Sequence, residues 1–114
     1  MPATPTPPAT IQVGPFTYTV HVDKARMNQA CRDDHTDLLG RCEHRTLDID
    51  IDPDQAPGQM ADTLLHELLH ALTDVTGLAN EWDEDREEAV VRRLSPVLLD
   101  TLRRNPALVA YLTT

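Results

Sequence analysis

Aromatic side chains are scarce in this sequence, one Trp, one Phe and two Tyr in 114 residues, and there are only two cysteines. Cys31 and Cys42 cannot build the disulfide framework on which small exported domains depend, and compartment logic makes them free thiols. No apolar run approaches the ~18 residues of a membrane span. The stretch from Met1 to Pro8 lacks the charged and apolar regions of a signal peptide, so the expected location is cytoplasmic, with no membrane partner. Basic residues are few as well: ten Lys plus Arg stand against nineteen Asp plus Glu, a net charge of -9. Nucleic-acid binding draws its affinity from clustered cations that release counterions, which sets that function class aside. What remains is one small globular domain, 40% hydrophobic. A chain of this length buries about 65% of its unfolded surface, so its core is thin and a staple would help it.

Four prolines and three threonines within residues 1–10 leave nothing to bury, which predicts an extended, disordered leader and a single ordered domain over 11–114. From Phe16 to Asp23 apolar and polar residues alternate with the period of a half-buried strand. Lys24 to Asp37 has no convincing period and reads as a loop with at most one helical turn around Met27 to Ala30. Leu38 to Glu43 and Thr46 to Ile51 flank a polar His44-Arg45 turn and predict a hairpin. A long helix should follow from Pro57-Gly58 to about Thr76, with Gly77 as a left-handed cap. Asp83 to about Leu94 suits a second helix, Ser95-Pro96 a new cap or a kink, and Asn105-Pro106 the start of a last short helix through Leu112. The expected class is α+β, a small three-stranded antiparallel sheet covered by helices.

Within the long helix stands His66-Glu67-Leu68-Leu69-His70, the HExxH pattern. Residues four apart lie on one helical face with Cβ atoms about 5–6 Å apart, so His66 and His70 can aim at one ion. Glu67 is offset around the helix, where it can hold a water without ligating the metal. Zinc lowers the pKa of such a water towards ~7, and Glu67 would take its proton as the oxygen attacks a carbonyl carbon. The helical wheel puts Leu64, Leu68, Leu72 and Val75 on a core stripe and His66, His70 and Thr73 opposite.

On these residues, and on the continuation His70-Ala71-Leu72-Thr73-Asp74 followed by Thr76-Gly77-Leu78, the sequence resembles the gluzincin branch of the zincin metallopeptidases. In the order of its elements it is similar to the minimal gluzincins and to small metallopeptidase-like proteins of phages and prophages. The resemblance implies a zinc-dependent hydrolase of peptide bonds, one Zn2+ per chain, a peptide or protein substrate, Glu67 as general base, and a third ligand from the acidic stretch Glu81 to Glu88. The family pattern can be aligned to Glu87 or to Glu88. With Glu87 at zero, Val90, Val91, Leu94, Val97 and Leu98 fall within about 80° of it, and burial direction therefore favours Glu87. A metzincin would need a third His after His70, and the sequence has none.

Larger gluzincins take an oxyanion-stabilising His or Tyr from a further domain. Here Tyr111, His44 and His35 are the candidates. Cys31, His35, Cys42 and His44 would form a second, structural zinc site only against the usual finger spacings. A non-catalytic zinc-binding or regulatory protein on the same scaffold is the alternative to the enzyme.

Overall fold

The computed structural model describes residues 6–34 and 38–114. Strands β1 (Thr10–Val13), β2 (Phe16–Val22), β3 (Gly40–Glu43) and β4 (Asp48–Ile51) form one mixed sheet in the order β1-β2-β4-β3. The helices are α1 (Lys24–Asp34), α2 (Pro57–Thr76), α3 (Glu84–Arg104) and α4 (Pro106–Leu112). The α+β class is as expected. The three-stranded antiparallel sheet is not: there is a fourth strand, and β2 runs parallel to β4.

Both departures have local causes. β1 offers only Ile11 and Val13 as an alternating pair, too short to register as a period, and Gly14 turns it into β2 at a φ of +56°. Order thus begins before Ile11, with the Val20 amide donating to the Ala9 carbonyl. Of the leader assigned to 1–10, residues 1–5 lie outside the described residues. The stretch expected to be a loop is α1, an 11-residue helix whose N-terminus is held by the Asp23 carboxylate accepting from the Arg26 amide at 3.1 Å. Only Met27 and Ala30 are fully buried on it, a stripe too narrow for a periodic signal. Because α1 carries the chain back across the sheet, β4 of the following hairpin docks beside β2. Ile49 and Ile51 are completely buried and take the centre, while charged Arg41 and Glu43 leave β3 at the edge.

Val13, Tyr18, Val20, Ile49 and Ile51 from the sheet meet Ala71 of α2 in the core, with Leu64, Leu68 and Val75 packed around them. On the alternating positions Asp50 is buried, its carboxylate accepting from Arg26 Nε at 2.6 Å. α2 starts at Pro57 and stops at Gly77, whose φ of 84° is the left-handed cap. A short 3-10 turn at Leu78–Asn80 then leads to Asp83, which caps α3 by accepting from the Arg86 amide at 2.7 Å. α3 does not end or restart at Ser95-Pro96 but runs unbroken to Arg104. The proline and the Arg92 carbonyl it deprives of a partner belong to exposed residues, so water can satisfy that carbonyl, and packing on α2 sustains the helix. No described helix is long and apolar enough to cross a membrane.

Candidate metal centre

α2 is covered on two sides. Its Leu64, Leu68 and Val75 face the sheet as the wheel predicts, but Leu72 is 40% exposed, and Thr73, placed on the polar side by the wheel, is buried. The histidine face is partly buried; it looks into a cleft of about 800 Å³ bounded by β3, α2 and the first turns of α3.

In this cleft one carboxylate reaches both motif histidines. Glu88 Oε1 lies 3.1 Å from His66 Nε2, and Glu88 Oε2 lies 2.9 Å from His70 Nε2. The ligand atoms of His66, His70 and Glu88 all fall within 4.8 Å of one another. The two imidazole centroids are 5.0 Å apart. Two imidazole nitrogens and a carboxylate are the donor types of zinc, and they converge in a concave, half-buried place, so the residues fit such an ion.

Glu87, towards which burial direction pointed, sits elsewhere. Its Oε2 lies 2.5 Å from Nδ1 of His70, on the far side of that ring from Glu88. It is the more buried of the two glutamates, as the wheel required, yet the convergent position belongs to Glu88. The reason is a rotation of α3. Its buried arc is centred on Val91 and Ser95, each 1% exposed, with Glu87 and Glu88 on its flanks, whereas Leu94 and Val97 are 53% and 64% exposed.

Electrostatics differ sharply among the three motif groups His66, Glu67 and His70. Burial lowers the His66 pKa against the pull of Glu88. For His70 burial acts in the same direction, but the hydrogen bond to Glu87 and the charges of Glu67, Glu88 and Glu87 outweigh it, and its pKa is raised. Glu67 is 8% exposed, and burial, aided by Glu88 and opposed by His70, pushes its carboxyl up to about 7. It packs against Gly40, where a Cβ would stand 3.1 Å from Glu67 Oε2 and 2.7 Å from Thr63 Cγ2. Gly40 is therefore part of the site, a role no sequence pattern signalled.

Of the oxyanion candidates, neither His44 nor Tyr111 lines the cleft. The Tyr18 hydroxyl and His44 Nδ1 are paired with each other, and Tyr111 on α4 is 80% exposed. His35 lies outside the described residues. Cys31 Sγ accepts from the Leu38 amide at 3.3 Å, and among the described residues only His66, His70 and Glu88 cluster as metal ligands, so no second zinc site forms from Cys31, Cys42 and His44. Sequence reasoning missed Arg41, the one basic residue among the described cleft lining, which ion-pairs with Glu43 at 3.4 Å and Asp33 at 3.9 Å.

Compared with protein-family models, curated proteins and solved structures, the chain matches none.

Proposed function

We propose that this chain is a zinc metallopeptidase of the gluzincin kind. The observation that carries the reading is the Glu88 carboxylate spanning Nε2 of both motif histidines, with Glu67 buried beside them. His66, His70 and Glu88 would hold the ion, which supplies Lewis acidity and an acidified water. Glu87, accepting from Nδ1–H of His70, fixes the tautomer that leaves Nε2 free to bind, an outer-shell role rather than a ligand's. Glu67, buried beside the histidines, would take one proton from the attacking water and deliver it to the leaving nitrogen as the C–N bond breaks, while the water oxygen stays on the carbonyl carbon. β3 pairs with β4 on one side only, and its residues line the cleft, so its free edge offers N–H and C=O groups to an extended peptide.

A second reading, a zinc-binding protein that cleaves nothing, is favoured by one observation. Arg41, the single Lys or Arg in the described lining, is already engaged by two carboxylates, and among the described residues no Tyr or further His joins it to stabilise an oxyanion.

Zinc content and peptide cleavage decide between them. Purified protein should carry close to one zinc per chain and cleave members of a diverse peptide library, and Glu67→Gln should keep the zinc and lose the cleavage. Zinc without cleavage in the parent selects the second reading; protein that binds no zinc overturns both.

A further inference from the structure

We infer that the cleft receives a polypeptide segment carrying Lys or Arg side chains on both sides of the bond nearest the histidines. The inference rests on the cleft's being a peptide-binding site and names the class of peptide. Asp62, His66, His70 and Asp74 follow one another at intervals of four along α2. They form a stripe about 18 Å long, with a carboxylate one turn beyond the histidines at each end. An extended chain rises about 3.3 Å per residue, so the stripe matches roughly five substrate residues. Across the cleft, Glu84 and Asp85 on the first turn of α3 add two more negative charges. Asp62, Asp74, Glu84 and Asp85 form no ion pair among the described residues, and Arg41 is held by Glu43 and Asp33.

Two further observations show that the acidity is not merely a solvated rim. Asp62 Oδ1 is buried with no hydrogen-bond partner, the one such side-chain atom among the described residues. An orphaned buried acceptor is a cost to the fold that a donor arriving with a ligand removes. Glu67, 8% exposed, also points into the cleft. A concave wall lined by one sign of charge focuses its field and draws in the opposite sign. Charges at both ends of the stripe favour side chains along a passing segment over a single terminal amine, which could satisfy one end only.

Binding of fluorescein-labelled Ala-rich decapeptides, N-acetylated except where a free α-amine is specified, tests this without depending on turnover. One probe carries Lys at alternate positions, one carries Glu there, and a third has neither charge but a free α-amine. They are titrated into the full-length zinc-treated Glu67→Gln protein and into chelator-treated parent. The Lys probe should bind at least about tenfold more tightly than either other probe at low salt and weaken as salt is added. Asp62→Asn should weaken the Lys probe about threefold or more, and Asp100→Asn, which removes an equal charge outside the cleft, should change it by less than about half that. Equal affinities for the Lys and Glu probes, preference for the free amine, or equal effects of Asp62→Asn and Asp100→Asn each overturn the inference. If Asp62→Asn does not fold by circular dichroism, Glu84→Gln takes its place under the same criterion. Absence of zinc would instead overturn the metallopeptidase reading and leave this binding comparison standing.

Discussion

The side chain of Glu67 lies directly over the bare Cα of Gly40, so a strand and a helix meet where one of them has no side chain. Gly40→Ala would put a methyl group 2.7 Å from Thr63 Cγ2 and 3.1 Å from Glu67 Cγ. The expected cost is about 1–3 kcal/mol of overpacking, together with displacement of Glu67. Urea denaturation of the metal-free variant measures the first, and a drop in any peptide cleavage exceeding the stability loss reports the second.

Glu88 and Glu87 should differ in degree when zinc affinity is measured by competition with a chelating dye. Glu87→Ala removes only the partner of His70 Nδ1 and should weaken binding about 10–100-fold. Glu88→Ala removes the carboxylate shared by both histidines and should weaken it more than that. The reverse order would return the ligand role to Glu87.

The raised pKa of Glu67 makes stability of the metal-free protein depend on pH in a definite direction. The folded carboxyl titrates at about 7 and the unfolded one at 4.5, so the folded state binds more protons between these values. Stability is then fully present below pH 4.5 and falls as pH rises towards 7. The loss is on the order of 3 kcal/mol. Glu67→Gln lacks the titrating group. Its stability relative to the parent should rise by that amount between pH 4.5 and 7.5, in urea melts with chelator present; a constant difference would show that the carboxyl is not desolvated.

Burial, reinforced by Glu67, Asp74 and other nearby carboxylates, pushes the Cys42 thiol up to about 12. At pH 8 almost none of it is thiolate. Iodoacetamide should therefore modify native Cys42 at least about 100-fold more slowly than in the urea-unfolded chain, as followed by mass spectrometry of its peptide.

How far the sequence reached is clearest on the two long helices. α2 was legible from Pro57 to Gly77 because each end carries a backbone-specific residue and the middle carries HExxH. Glu67 and the histidine pair followed from spacing alone. α3 was legible as a helix but not in its rotation. Summing hydrophobicity points Leu94 and Val97 inward, yet the buried position there is small Ser95, which no hydropathy scale rewards. β1 and α1 escaped because each buries too few residues to leave a period, and the parallel joint between β2 and β4 depends on contacts between residues far apart in the chain.

The rotation is itself testable. Val91→Ala should destabilise the protein by about 2 kcal/mol, since Val91 is 1% exposed. Val97→Ala, at 64% exposure, should cost less than about 0.5 kcal/mol. Equal costs in thermal or urea unfolding would contradict the inward arc.

The unbroken course of α3 through Pro96 makes it a single rod, with Glu88 near one end and Ser95 and Leu99 seated further along. A side-chain tip lies about 6 Å from a helix axis, so a roll of about 20° carries it about 2 Å sideways. That distance is comparable to the difference between a bonded and an unbonded carboxylate. The aim of Glu88 is thus mechanical, set by the bulk of side chains two and three turns away, and the candidate metal centre extends in effect to residues that never touch it.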